Sequence, residues 1–498
     1  MKEVELSQQQ NKRSILKSTT LLGGSSFITI LIGMVRVKFV AILLGPSGVG
    51  FMGVLTGLRD IISTVAGLGL SSSGVRQIAS SVAQEDDKAI ALTVKALRIL
   101  MRITGTIGML VMIGGAVFWS QISFKTAEYT IAIAFLGLSV LFTAISSGQS
   151  TILQGHRRIA DVAKINIIGA ITGTLIGLPC YFFWGMNGVV PSLVLGSIAM
   201  LATSWWFAHK IGVINVLVDI SNIKNETKRL LVFGMPLMLS GLINNLVAYI
   251  IRVFLTRESG LDAVGQYQAA FSLAGVLVSF VLGAMGTDYY PRLTAVADDN
   301  EKINSEVNTQ TEIALLLAVP ALAATIVFMS LVMQIFYSSS FLPAIVILRW
   351  AVFGILGRVI SWPMGFIMLA KAKGKLFFIT EMISGIVQVV MVMLCYHFFG
   401  LSGCGIAFAF LYIWHIILML IVSKKIADFS WSFNNIKLIV IAVLCIAFLS
   451  LIQILQIKIF MKYIIGIIIL LIVSYFFLTI LLKSSGITFL SIKNRLRK

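Results

Sequence analysis

Apolar residues in this chain come in long unbroken blocks, not in the alternation of a half-buried strand or the stripe of a surface helix. A hydrocarbon layer about 30 Å thick takes about 20 residues of helix to cross. Fourteen blocks meet that length, at residues 18–44, 49–78, 92–119, 127–153, 163–184, 188–209, 230–256, 264–290, 309–336, 342–369, 376–398, 402–423, 437–456 and 463–482. The longest polar interruption, about residues 215–229, is too short to be a domain. The pattern therefore predicts an all-α polytopic membrane protein of 14 transmembrane helices with nothing sizeable outside the bilayer.

Internal repetition organises these helices. Val49-Gly50 recurs as Val264-Gly265 and Gly45 as Gly260, each 215 residues on; the segments 80–88 and 294–302 match, and Gly185-Met-Asn-Gly188 matches Gly400-Leu-Ser-Gly403. A constant offset in constant order reads as two pseudo-symmetric six-helix bundles plus two C-terminal helices. The expected organisation is a tail (1–17), a first bundle (18–212), a linker (213–229), a second bundle (230–424), a loop (425–436), helices 13 and 14 (437–482) and a basic tail (483–498). Because six is even, the repeats run parallel, and in transporters of repeated design the substrate site lies between such halves near mid-membrane.

Composition agrees with the pattern and charge refines it. Hydrophobic residues make up 58% of the 498 and charged ones 12%, and mean hydropathy is +0.98; a soluble domain is roughly half apolar and a quarter charged. The net charge of +19 raises the question of a nucleic-acid partner, but its distribution answers it. Lys88, Arg157, Arg158, Lys210, Lys224, Arg292, Lys371, Lys373, Lys424 and the tail Lys493 to Lys498 fall in alternate loops, while the opposite loops hold little beyond Lys125, Arg257, Lys458 and Lys462. This positive-inside bias places both termini, the linker and the 425–436 loop in the cytoplasm and makes nucleic acid an unexpected partner. The polar, lysine-containing N-terminus lacks the form of a cleaved signal peptide. Cys180, Cys395, Cys404 and Cys445 lie in or beside apolar spans without Cys-x-x-Cys spacing and read as small apolar residues.

The candidate chemistry lies where charge breaks into the apolar blocks. Arg36 and Lys38 interrupt the first span, Arg59 and Asp60 the second. A guanidinium facing lipid at mid-depth costs about 2.5–3.5 kcal/mol on insertion scales, so such groups face a bundle interior or a wet cavity. Counting back from Gly45 and on from Gly48 of the turn, Arg36 is about 13 Å deep and Arg59 about 16 Å. Arg252, before Gly260 in the second half, lies at about 12 Å. The tenth span adds Arg349 and Arg358, about 180° apart on an ideal helix, with Arg358 the deeper. Arg36 and Lys38 likewise diverge by about 200°. Arginine binds phosphate oxygens bidentately and stays charged when partly buried, so Arg36, Lys38, Arg59, Arg252 and Arg358 are the substrate-binding candidates, for a phosphate or pyrophosphate. Structural pairing, as between Arg59 and Asp60, is the competing role. Asp60, Asp288 and Glu381 are the candidates for ion coupling by default, as carboxylates within spans.

Fourteen spans in a six, six, two pattern, the basic first span, the turn Gly45-Pro46-x-Gly48-x-Gly50, Leu153-Gln154-Gly155 before Arg157-Arg158, and the Gly-x-x-Gly turns resemble the polysaccharide-transporter branch of the multidrug/oligosaccharidyl-lipid/polysaccharide exporter superfamily. Within it the resemblance is to O-antigen translocases. It implies a flippase in the bacterial inner membrane that moves undecaprenyl-pyrophosphate-linked oligosaccharide from the cytoplasmic to the outer leaflet by alternating access. It also implies a polysaccharide polymerase and a chain-length regulator as partners.

A cation-coupled multidrug exporter of the same superfamily is the alternative, but it would be expected to carry a carboxylate in the first span, which has two bases and no acid. A polysaccharide polymerase would call for a large outer loop, and every outer loop here is short, so no catalytic residues are expected. No cofactor is expected beyond a proton or sodium gradient: Gly374-Lys375 lacks the earlier glycine of a phosphate loop, Leu369 standing there. The histidines lack metal-ligand spacing. Gly67-Leu68-Gly69 before Ser71 to Ser73 lacks the strand and third glycine of a dinucleotide loop. Gly169, Gly173 and Gly177 form a small-residue stripe suited to close helix packing.

Overall fold

Gly45 carries backbone angles of φ 64° and ψ −168° inside an otherwise continuous helical stretch, α1 (Lys2–Gly67). Left straight, 66 residues of helix would reach about 99 Å, three hydrocarbon thicknesses. Only glycine adopts this conformation without strain, and there the stretch divides into two membrane-crossing arms. The computed structural model describes residues 2–212, 220–456 and 458–484.

After α1 come α2 (Leu70–Ala83), α3 (Asp87–Gly114), α4 (Ala116–Phe124), α5 (Thr130–Gly155), α6 (Ile159–Trp184) and α7 (Val189–His209). The long α8 (Ile220–Ala295) divides at Gly260, with φ 80° and ψ −178°. It is followed by α9 (Asn300–Val327), α10 (Met329–Phe336), α11 (Ile345–Ala370), α12 (Gly374–Phe399), α13 (Ser402–Ala427), α14 (Phe433–Ile454) and α15 (Ile459–Ser484). Eleven stretches among the described residues are long and apolar enough to cross a membrane. Three of them, Ile28–Gly67, Ile159–His209 and Asn222–Val276, each hold two crossings joined by a turn, which gives the fourteen expected.

The repeat is written into the backbone. Gly45 and Gly260, Arg157 and Ala372, and Gly185 and Gly400 are matched pairs of left-handed residues, each 215 residues apart. α3 and α9 have 28 residues each, and α5, α6, α11 and α12 have 26 each. Asp86 and Asp299 cap α3 and α9 by accepting backbone N–H bonds. Gly188 lies against the Cys180 carbonyl as Gly403 lies against that of Cys395.

The described chain forms two compact units, residues 1–265 and 266–498. The first has a core of Leu70, Ile78, Val94, Leu97, Met101 and Ile152. The second is built around Tyr289, Leu293, Ile303, Met364 and Phe429. In the second unit α14 and α15 pack on α9, with Asn435 Nδ2 donating to the Asn308 carbonyl at 2.9 Å and the rings of Phe328 and Tyr463 stacked. Large apolar side chains cover the outside: Phe182, Phe183 and Trp184 in one repeat and Phe398 and Phe399 in the other are more than half exposed, as befits surfaces solvated by lipid.

One expected span differs in detail. The second span is broken within 49–78 at Leu68 and Gly69, which have φ of 45° and 67°. The equivalent stretch of α8 runs unbroken. Two of the few basic residues in the opposite loops also gain a local reason: Arg257 donates to the Ile122 and Gln121 carbonyls at 2.7 and 3.1 Å, closing the C-terminal end of α4, and Lys125 donates to the Arg257 carbonyl.

Candidate functional site

The arm of α1 after Gly45 and the arm of α8 before Gly260 lie antiparallel within the first unit. Gly50 sits against the Leu261 carbonyl, Gly57 against Tyr249 and Arg252, and Gly69 against Gly234; Asn245 Nδ2 donates to Thr64 Oγ1 at 2.9 Å. Gly50, Gly57 and Thr64 recur every seven residues, so they share the seam facing α8. The contact near the turns is reciprocal. Gly50 meets the Leu261 carbonyl, Gly265 meets the Pro46 carbonyl, and Ser47 hydrogen-bonds to Asp262. Each pair exchanges under the 215-residue shift, which marks a local twofold relation between the two turns.

Arg252 is held in this seam. Its Nη1 donates to the Gly53 carbonyl at 3.2 Å and stands 2.7 Å from where a Cβ on Gly57 would be. The absence of a side chain at Gly57 is what lets the guanidinium lie there. Arg59 lies on the facing α1 arm and turns to its neighbour, its Nε and Nη2 donating to Asp60 Oδ1 at 3.1 and 2.8 Å. That pair is open on one side, with the Asp60 side chain 46% exposed.

Arg36 is placed by α6. Its Nη2 donates to Tyr181 Oη at 3.0 Å, and Ser192 Oγ of α7 donates to the same oxygen at 2.8 Å. Gly173 lies beside it, an added Cβ there making ordinary contact at 3.5 Å from Arg36 Nη1. Of the three-glycine stripe, Gly169 receives Met200 and Gly177 the ring of Tyr181. Lys38 is half-buried and, two residues on, points to a different face of the helix.

Arg358 belongs to the second unit. It is exposed although Leu356, Gly357, Val359 and Ile360 around it on α11 are buried. A charged residue so placed in a membrane helix faces water or partners, not lipid. Its electrostatic neighbours are Glu381 of α12 and Tyr412 and His415 of α13. His415 Nδ1 is enclosed and makes no hydrogen bond among the described residues. Arg349 is half-buried on the same helix. Asp288 is elsewhere in that unit, 75% exposed and bonded to Arg292, whose guanidinium also holds Glu306 and Gln310.

Arg59 and Asp60 are thus joined, Arg252 reaches the same arm from the facing arm of α8, Arg36 is bonded from α6, and Arg358 and Glu381 are electrostatic neighbours in the second unit. Sequence reasoning passed over Tyr181, Ser192, Tyr412 and His415. The repeat offset, which pairs Cys180-Tyr181 with Cys395-Tyr396, was the available signal for Tyr181. No comparable pattern marks the others.

Comparison with known proteins places this geometry. The model of a family described as "Polysaccharide biosynthesis protein" matches residues 15–297. A "Putative O-antigen transporter" of Shigella flexneri is 22% identical over 281 residues, 55% of this chain and 65% of that relative, so the match spans a little under two thirds of the relative's own length. Among solved structures, an inward-facing multidrug resistance MATE family transporter of the MOP superfamily matches with a TM-score of 0.70 at 16% identity, over 81% of this chain and 96% of that one. The lipid II flippase MurJ in an inward closed conformation matches with a TM-score of 0.69 at 15% identity, over 93% and 99%. At such identities the likeness is one of fold, and the fold is that of MOP-superfamily transporters.

Proposed function

The chain belongs to the polysaccharide biosynthesis protein family, and from that premise we propose that it is a flippase for undecaprenyl-pyrophosphate-linked oligosaccharide, an O-antigen repeat unit or a similar glycan. It moves this lipid from the cytoplasmic to the outer leaflet of the bacterial inner membrane by alternating access, without covalent chemistry of its own. The observation that carries the reading is Arg36: a guanidinium inside the first unit, bonded to Tyr181 Oη and, among the described residues, ion-paired to no acid. A fixed, uncompensated fork suits a pyrophosphate and repels a cationic drug.

Lys38, Arg59 and Arg358 are the other residues proposed to meet the headgroup, while Arg252 ties two helices together. Of the carboxylates, Glu381, an electrostatic neighbour of Arg358, is the best candidate for coupling to a proton or sodium gradient. Asp288 is occupied with Arg292, and Asp60 with Arg59. Both termini are proposed to face the cytoplasm, and a polysaccharide polymerase and a chain-length regulator are the expected partners downstream.

The test is reconstitution. Liposomes holding the purified protein should bring a fluorescent undecaprenyl-pyrophosphate oligosaccharide into reach of a membrane-impermeant quencher. Export of cationic drugs without movement of the glycan lipid would instead establish the multidrug alternative.

A further inference from the structure

A cavity of about 370 Å³ opens in the first unit where the second membrane crossing breaks at Leu68 and Gly69. Asp60 and Thr64 line it from the arm above the break, Ser72 from α2 below it, Thr143 from α5, and Asn245 from α8. Met101, Leu237 and Met238 form an apolar wall. Every one of these residues belongs to the same unit.

The hydrogen-bonding capacity of this lining is mixed in a telling way. Arg59 occupies Asp60 Oδ1, which leaves Oδ2 as an acceptor. Asn245 Nδ2 is taken by Thr64, which leaves the Asn245 carbonyl oxygen as another. On the other side, α2 starts at Leu70 with no side chain capping it among the described residues, so its first backbone N–H groups are available as donors at the positive end of its dipole. Breaks of this kind in membrane helices persist only where they border protein or a polar cavity.

Three kinds of occupant fare differently here. An anion would meet the Asp60 carboxylate. A bare cation would meet the positive end of α2, in a space too large to strip its water. A neutral polyhydroxyl ring donates to Asp60 and Asn245, accepts from the start of α2, and lays its C–H face on Met101, Leu237 and Met238. We propose that this cavity is a sugar subsite, holding one ring of the transported glycan while the lipid pyrophosphate is held elsewhere. The assignment rests on the lipid-linked glycan reading above.

Two ligands separate the two claims: the host's own undecaprenyl-pyrophosphate oligosaccharide, and the same lipid pyrophosphate carrying no sugar, each titrated onto the full chain in nanodiscs. Thr143→Val keeps the shape and removes one hydroxyl, and Ser72→Ala removes another. Both variants should weaken binding of the glycan lipid by about fivefold or more and leave the bare lipid pyrophosphate unchanged. Equal losses for both ligands, no loss for either, or a change confined to sodium or proton dependence of transport would overturn the sugar subsite. If the wild-type chain bound neither lipid, the flippase reading would fall and the subsite with it. If it bound the bare lipid as tightly as the glycan lipid, the flippase reading would stand and only the subsite would fall. Thr143→Val protein that elutes as wild type during purification excludes misfolding as the cause.

Discussion

Arg36 and Arg252 lie at similar expected depth on pseudo-equivalent arms, yet their surroundings give them different work. Arg252 bonds to a backbone carbonyl across a helix seam, so its removal takes away a contact between helices: Arg252→Ala is expected to lower stability by about 2 kcal/mol, measured as thermal unfolding in detergent. Arg36 bonds to a tyrosine hydroxyl that a serine also holds, leaving most of its donor fork for a ligand. Arg36→Ala should cut surface glycan by about tenfold or more at unchanged protein level, and Tyr181→Phe should cause a smaller loss. Normal glycan in Arg36→Ala cells would reject Arg36 as a headgroup ligand. The sequence flags both arginines because charge in an apolar span is costly. It cannot separate them, since Tyr181 is 145 residues from Arg36 and Gly53 is 199 from Arg252.

The helices themselves were largely legible because a membrane span announces itself by local composition. What was not legible is how glycines are used between them. At Gly50 an added Cβ would overlap the Leu261 carbonyl, a backbone atom that cannot swing away, whereas at Gly57 it would meet chiefly the movable end of Arg252. Gly50→Ala is therefore expected to lower the unfolding temperature in line with overpacking costs of about 1–3 kcal/mol, and Gly57→Ala to cost clearly less. Equal losses would show that the seam is not set by backbone contact. A second prediction concerns the start of α9. The Lys302 ammonium, then the backbone N–H groups of Lys302 and Glu301, hold the Asp299 carboxyl below its ordinary range. Its folded value is the depressed one, so its stabilisation is present above the unfolded carboxylate range and is lost as pH falls through the folded value. Asp299→Ala should melt below wild type at neutral pH, and the gap should close only under acid conditions.

For the whole molecule, the repeat and the basic loops argue for one orientation. Turns at 45–50 and 260–265 are expected outside, and the loops holding Arg157, Lys373 and Lys424 inside. A cysteine at Ser339, between α10 and α11, should react with an impermeant maleimide added to intact cells, and one at Lys373 should react only after the membrane is opened. The reverse pattern would invert the proposed direction of transport. The six, six, two arrangement and the fold were readable because repetition and hydropathy are properties of the chain read in order.

By itself, then, the sequence determined the membrane class, the fourteen crossings, the repeat and the set of charges that lipid will not tolerate, because insertion free energy is summed residue by residue along the chain. Tertiary structure decided which charges are spoken for. It bonded Arg36 to Tyr181, tied Arg252 to Gly53, and placed Glu381 and His415 within electrostatic reach of Arg358. It also turned Gly67-Leu68-Gly69 and its serines from an unused motif into the rim of a polar cavity. Those outcomes depend on which distant helix supplies the missing side chain, the open donor or the facing carbonyl, and no local pattern encodes that.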